Sequence, residues 1–360
     1  MVGGVERLIL DIITHLDRNQ WEPRVVTVLG GGPLLPDFQR LGIPIEFVGP
    51  RRYITGSGLY RLYWLVSLPA ILSRLTRVLK RHGSSVVVTS LYHADIVGML
   101  AAASLKVPQR IVIHHDVEKL PWFIAWAKRS LALPRATRVV ANSQAVGYFL
   151  QNYFKVPAEK LVIIPNGIDT DRFAKGGKLM NGTALVIGMI GRLEPIKGPA
   201  NFVEALSVLK DRLGDQTPPA LLAGGGSLQS QLQTVARTSE LDLQFLGEVA
   251  DVVPALQAID ILVIPSLAEG FGLVVLEGLV ARKLIVAADL SAIKELITDG
   301  ENGLLFPAGD SLALANQLQR LLSDPLLRQR LIDGVVQWST QKSADYDIHH
   351  IVGQYQELWR

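Results

Sequence analysis

Two stretches of this 360-residue chain carry side chains suited to holding an anion. The first is 261–279, ILVIPSLAEGFGLVVLEGL. A buried strand ends at Pro265-Ser266, a tight loop follows, and Gly270-Phe271-Gly272 leads into a helix. The glycines permit close backbone approach, and the first helical N–H groups offer an anion site. Glu269 stands just before that helix and Glu277 about one turn inside it. One carboxylate is thereby placed at a strand's carboxyl edge, where doubly wound folds bind ligands. The second stretch is 185–198, LVIGMIGRLEPIKG, in which a strand runs through Gly188 and Gly191 and a loop carries Arg192 and Lys197 to Gly198. Two cations beyond a strand's carboxyl end could grip a diphosphate between them. A third feature is His114-His115-Asp116, closing the strand 110–115. Adjacent strand positions point to opposite faces, so one histidine at most faces a ligand, and the pair cannot chelate a metal together.

The elements that must position these groups are legible as short apolar runs alternating with helical patterns. Strands are expected near 24–29, 43–48, 85–89, 110–114, 138–142 and 161–164, and again near 184–190, 219–223, 243–246, 261–265, 284–287 and 303–306. Near-continuous apolar runs of this length fit parallel strands covered by helices on both faces. The helix over 71–82 is a clear case, with Ile71, Leu72, Leu75, Val78 and Leu79 on one face and Arg74, Arg77 and Arg81 on another. Two successive βα arrays imply an α/β chain of two Rossmann-like, doubly wound domains facing a cleft. The expected division is an N-terminal domain over 1–166, a Gly-rich hinge over 167–183, a C-terminal domain over 184–345, and a last helical stretch, 346–360, crossing back onto the first domain.

Composition narrows the function classes. There is no Cys, which excludes disulfides, thiolate metal sites and cysteine nucleophiles. No apolar run of about 18 residues occurs, and Met1 runs directly into Gly3-Gly4 without a leader; a cytoplasmic protein is expected. The net charge of +3 divides unevenly. Residues 1–170 hold 20 Lys and Arg against 11 Asp and Glu, a net of +9, whereas 171–360 hold 16 against 22, a net of −6. Aromatics accompany the basic residues at 59–66, LYRLYWLV, and 120–129, LPWFIAWAKR. That combination suits an interfacial surface, so the inner face of an anionic membrane is an expected partner, peripherally bound. Core packing of Trp64, Trp122 and Trp126 is the competing reading. No nucleic-acid-binding module is present, and nucleic acid is not an expected partner.

Taken in order, Gly3-Gly4-Val5-Glu6-Arg7, Pro165-Asn166-Gly167-Ile168-Asp169, Gly-Arg-Leu-x3-Lys-Gly at 191–198, Phe245-Leu246-Gly247, Glu-Gly-Phe-Gly-x4-Glu at 269–277 and Asn302-Gly303-Leu304-Leu305-Phe306-Pro307 make the chain similar to the retaining glycosyltransferases of family 4, enzymes of GT-B fold. The resemblance covers essentially the whole chain. It implies that Arg192 and Lys197 neutralise a donor diphosphate, that Glu269 meets the donor sugar's hydroxyls and Glu277 the ribose, and that the backbone of Gly270, Phe271, Gly272 and Leu273 faces sugar and phosphates. It further implies that Gly247 and Val249 line the base pocket, that Gly3 and Gly4 approach the phosphates from the other domain, and that a histidine after the strand at 110–115 faces the sugar. His115 is chosen, because the family commonly has a short polar or Gly residue directly after that histidine. His93 is a weaker acceptor-side candidate.

The implied activity is transfer of a sugar from a nucleoside-diphosphate sugar to a hydroxyl of a lipid-linked or polysaccharide acceptor. The configuration would be retained, with no metal and no bound cofactor, since fixed cations and helix N-termini can stabilise the departing phosphate. Asp169-Thr170-Asp171 spells the Asp-x-Asp of metal-dependent glycosyltransferases of another fold, but at the expected hinge it reads as structural. The pattern departs from the family in two places. No apolar strand precedes Gly3, so the first strand of the N-terminal sheet is expected to be missing from this sequence. The usual Gly-x-Pro turn and Gly-Gly pair give way to Ala281-Arg282-Lys283-Leu284 and Ser291-Ala292-Ile293. Alternatives are a nucleotide-sugar 2-epimerase, a non-catalytic nucleotide-binding partner subunit and, weakest, a nicotinamide dehydrogenase, for which no Gly-x-Gly-x-x-Gly follows a strand.

Overall fold

A computed structural model of the chain describes residues 4–32, 34–50, 58–175 and 185–360. The described residues form two compact units, one of 168–347 and one of 2–167 with 348–360. The expected hinge divides between them and the undescribed stretch. Residues 170–175 form a helix of the 168–347 unit and bury Phe173 in its core, while 176–184 lie outside the described residues.

The 2–167 unit runs α1 (Gly4–Thr14), β1 (Val25–Thr27), α2 (Leu35–Arg40), β2 (Ile45–Phe47), α3 (Gly58–His82), β3 (Val86–Ser90), α4 (Tyr92–Ser104), β4 (Gln109–His114), α5 (Trp122–Ala127), β5 (Arg138–Ala141), α6 (Gln144–Tyr153) and β6 (Leu161–Ile163). Its strands make two parallel sheets, β1-β2 and β3-β4-β5-β6. Among the described residues no strand joins β1 to β3, and Val88 of β3 is left exposed. On the larger sheet alternation sorts the side chains. Val112, Val139 and Ala141 pack towards α4 and α6, while Ile111, Ile113 and Val140 pack with α1 and the last helix.

The other unit runs α7 (Thr170–Lys175), β7 (Ile187–Ile190), α8 (Pro199–Leu213), β8 (Ala220–Ala223), α9 (Gln229–Thr238), β9 (Leu243–Gly247), α10 (Val253–Ala258), β10 (Ile261–Ile264), α11 (Leu273–Val280), β11 (Leu284–Ala288), β12 (Leu304–Phe306), α12 (Ser311–Ser323) and α13 (Pro325–Lys342); the chain then returns to the first unit as α14 (Ile348–Trp359). All six strands are parallel, in the order β12-β11-β10-β7-β8-β9. The first strand in sequence therefore lies beside the fourth, the strand order reverses there, and the unit has the doubly wound topology. Ile187, Ile261, Val263, Leu284 and Val286 fill one face, and Leu221, Leu262, Ile264, Ile285 and Ala287 fill the other. Burial on both faces explains why these strands read as unbroken apolar runs.

Candidate functional site

The reversal point of the six-stranded sheet sits between β7 and β10, and the two sequence stretches that could hold an anion are the loops leaving those strands. The loops are fastened together. Leu267 N–H donates to the carbonyl of Ile196 at 2.9 Å. Gly198, at φ +64°, caps α8 so close to β10 that an added Cβ would stand 2.0 Å from the carbonyl oxygen of Pro265. No side chain fits there, which accounts for the glycine. With the loops so tied, Lys197 Nζ lies 2.6 Å from Glu269 Oε1, and Ser266 Oγ donates to the same oxygen at 2.8 Å. Both charged side chains are mostly sheltered, where an ion pair is stronger than at an open surface.

Other residues of the site follow from the same loops. Arg192 is exposed on the β7 loop. Phe271 turns its ring into the core near Tyr346. Gly272 caps α11 at φ +93°, where the helix begins at Leu273 and carries Glu277, half-buried, one turn on. Gly247 ends β9, and its carbonyl accepts from Gly224 N–H at 2.8 Å. Val249 packs partly buried against the core. Of the proposed donor residues, the structure thus brings Lys197 and Glu269 into contact and sets Arg192, Gly247, Val249, Gly270, Phe271, Gly272, Leu273 and Glu277 in the same unit.

The loop after β8, Gly224-Gly225-Gly226-Ser227, was not singled out from sequence, although three glycines after an apolar strand are a readable sign. Leu193 N–H donates to Gly225 O at 2.9 Å, and Glu194 accepts from Ser227 N–H at 2.9 Å and Ser227 Oγ at 2.6 Å. Those Ser227 bonds hold the Glu194 carboxyl below its ordinary range. The β8 loop thereby braces the segment that bears Arg192.

The remaining candidates belong to the other unit. Gly3 lies outside the described residues, and Gly4 opens α1. His93 sits on the first turn of α4, and burial lowers its pKa to about 4. His115 follows β4; burial and then the charge of Lys128 lower its pKa to about 4. His114 is held well below the usual range by burial, Lys128 and His115. Burial also raises Asp116. Lys128, expected from sequence as part of a basic interfacial surface, is instead only 1% exposed, packed beside Asp95 and His114. Its neighbours Trp122 and Trp126 are exposed, at 81% and 61%. The side chains of the other aromatic stretch lie outside the described residues through 65. Asp169 accepts from Arg172 N–H at 2.9 Å as a helix cap, and Thr170 donates to Asp347 at 2.7 Å, so the Asp-x-Asp segment serves the start of α7. Among the described residues, no helix is long and apolar enough to cross a membrane and no group of three or more His, Asp or Glu could hold a metal.

A doubly wound sheet with its polar loops at the reversal point, preceded by a second parallel α/β unit, is the two-domain GT-B architecture. The model of Glycosyltransferase Family 4 matches residues 2–172 and that of Glycosyl transferases group 1 matches 184–324. The chain belongs to these glycosyltransferase families. It is 28% identical to D-inositol 3-phosphate glycosyltransferase of Stackebrandtia nassauensis over 60% of this chain and 53% of that one, so the match spans about half of that relative's length. It is 27% identical to the GalNAc-alpha-(1->4)-GalNAc-alpha-(1->3)-diNAcBac-PP-undecaprenol alpha-1,4-N-acetyl-D-galactosaminyltransferase of Campylobacter jejuni over 79% of this chain and 77% of that one. Among solved structures, Anabaena HepE in complex with UDP superposes with a TM-score of 0.79 at 23% identity, covering 99% of this chain and 95% of that one.

Proposed function

We propose that the chain is a retaining, metal-independent glycosyltransferase that moves a sugar from a nucleoside-diphosphate sugar to a hydroxyl of a lipid-linked or polysaccharide acceptor. The observation that carries this reading is the Lys197–Glu269 pair at the reversal point of the sheet. Without ligand each side chain partners the other. With donor bound, Lys197 and Arg192 turn to the diphosphate, and Glu269 accepts from a hydroxyl of the sugar. The acceptor O–H attacks the anomeric carbon on the face from which the leaving group departs. The bond from that carbon to the phosphate oxygen breaks, and the leaving phosphate takes the proton. Fixed cations stabilise the charge that develops on the phosphate. His115 keeps the sugar-facing role that the resemblance gives it. A lipid-linked acceptor is supported by the undecaprenol-linked substrate in the name of the Campylobacter relative.

Calorimetry with UDP, GDP, ADP and CDP in EDTA tests the reading, with UDP first because HepE holds it. One diphosphate is expected to bind without metal and to be lost in the Arg192→Ala/Lys197→Ala variant. Absence of binding to a folded wild type, or binding that needs a divalent ion, overturns it.

A further inference from the structure

The 2–167 unit buries a charged cluster that the proposed chemistry does not use. Asp95, in the first turn of α4, and Lys128, the first residue of a π-turn over Lys128–Ala132, are 0% and 1% exposed, and Lys128 Nζ lies 2.8 Å from Asp95 Oδ2. The same ammonium lies 2.9 Å from His114 Nδ1 and 5.3 Å from the centre of the Phe154 ring. His114 is held between Phe149, stacked at 6.0 Å, and Phe154, edge-on at 5.6 Å. An ammonium only donates, so Nδ1 is the acceptor and the imidazole proton resides on Nε2. That nitrogen faces Asp116 Oδ1 at 3.8 Å. His114 is thus fixed in one tautomer and orientation at the end of β4.

Isolated charges are costly to bury, and replacing a buried ion pair by apolar side chains of similar volume is often neutral or stabilising to a fold. Stability alone therefore gives little reason for Lys128 and Asp95 to lie here. The π-turn points the same way, because such turns are frequent at functional sites. The residue directly after His114 is the one assigned to the donor sugar. β4 ends at His114, on the α4 side beside Asp95 and Lys128, and His115 is the first residue beyond it. The His115 carbonyl is held by Asn142 Nδ2 at 3.4 Å, and its Nε2 is enclosed without a partner among the described residues.

We infer that Lys128, clamped by Asp95, is a positioning residue for His115: by locking His114 it sets the direction in which the next residue leaves the strand. The inference rests on the sugar-facing reading of His115. The charged and titratable groups around the pair are Lys128 on the π-turn, Asp95 on α4, and Asp116 and Glu118 on the loop after β4. The cation of Lys128 also favours the neutral form of both imidazoles, in the same direction as burial.

The test uses the full chain in three forms: wild type, Asp95→Asn/Lys128→Met, and Lys128→Arg, which keeps the cation. Imidazole NMR titration is read beside donor-turnover kinetics. In the double variant the His115 midpoint is expected to rise above that of wild type, since the Lys128 cation that lowers it is gone. The kcat should fall on the order of 10- to 100-fold, as misplacement of a reacting contact does, with the donor KM little changed. Lys128→Arg should keep the low midpoint and most of kcat. A folded double variant with the wild-type midpoint or wild-type kcat overturns the inference, as does loss of both in a folded Lys128→Arg. Diphosphate binding, measured on the same samples, reports on the other unit. If wild type binds none, the proposed function fails, and the inference, which rests on the sugar-facing reading of His115, is overturned with it.

Discussion

Lys197 and Glu269, 72 positions apart in sequence, share one short ion pair at 2.6 Å, and Ser266 adds a hydrogen bond to the same carboxylate oxygen. The pair joins the loop after β7 to the loop after β10, so each charged group is held in place by the other. Glu269→Gln removes the charge and keeps the shape. It should leave diphosphate affinity within about threefold, a change worth less than 1 kcal/mol, since Lys197 remains. Turnover of the sugar donor should fall by about 100-fold, as when one contact made to the transition state is lost. Calorimetry with the diphosphate beside steady-state kinetics checks both halves. Equal losses in binding and turnover would remove Glu269 from the sugar.

Lys197→Ala should do the reverse. It deletes a cation proposed to hold the diphosphate and leaves Glu269 its hydrogen bond from Ser266. Diphosphate affinity should fall by 10-fold or more, about 1.4 kcal/mol. Fold stability should fall by about 1–2 kcal/mol, because the carboxylate is only partly sheltered and keeps one hydrogen bond. Denaturant unfolding of the single and double variants with Glu269→Gln would show coupling between the sites, and additive losses would argue against it.

Gly198 makes the approach of the two loops possible. Alanine there meets a backbone carbonyl at 2.0 Å and must hold φ +64°. A rigid carbonyl cannot yield as a flexible side chain would, so Gly198→Ala should cost about 2–4 kcal/mol and separate Lys197 from Glu269. Thermal unfolding and diphosphate binding should fall together. A variant with wild-type affinity would show that the loops hold their places without this contact.

Much of this was readable before the structure. The strands lie where the apolar runs placed them because both faces of the six-stranded sheet are buried, which leaves Ile261–Ile264 and Leu284–Ala288 no room for polar alternation. The glycines at 191, 198, 270 and 272 marked the site through backbone geometry. What pattern could not supply was pairing. Nothing local to Lys197 names Glu269, and their contact depends on β7 and β10 becoming neighbours across an intervening stretch of chain. The burial of Lys128 is hidden from the sequence for a related reason. Amid Trp122, Trp126 and Arg129 it has the sequence context of a surface cation, and its burial follows from a π-turn and from Asp95, 33 residues earlier. The glycines at 224–226, by contrast, carry a clear local sign, three in succession after an apolar strand.

The buried histidines give stability a defined pH dependence. The pKa values of His93 and His115 fall to about 4 in the folded chain, from an ordinary value of 6.5. Between those values the unfolded chain binds more protons than the folded one, so stability rises with pH. The fold should therefore be progressively lost as pH drops from 6.5 towards 4, and above 6.5 these groups contribute no slope. His115→Gln should reduce that slope without removing it, because His93 and His114 remain. Urea unfolding at half-unit steps measures it, and an unchanged slope in the variant would mean that His115 does not titrate in this window.

The exposed aromatics of α5 make the expected membrane association testable at named residues. Trp122, Phe123 and Trp126 are all exposed, and α5 buries none of its six residues, so this helix gains little from its own domain. Interfacial aromatics gain by entering the headgroup region, and the basic balance of residues 1–170 would draw the chain to an anionic surface first. Binding to vesicles containing phosphatidylglycerol is expected at low salt, with little binding to purely zwitterionic vesicles. Raising the salt should weaken it, as screening of the attraction requires. Trp122→Ser/Trp126→Ser should weaken binding at every salt concentration while leaving diphosphate affinity intact, because Arg192 and Lys197, the cations proposed to hold the diphosphate, lie in the other unit. If the variant binds as wild type does, cations alone hold the chain to the surface. If wild type binds neither kind of vesicle, the expectation of a peripheral membrane surface falls.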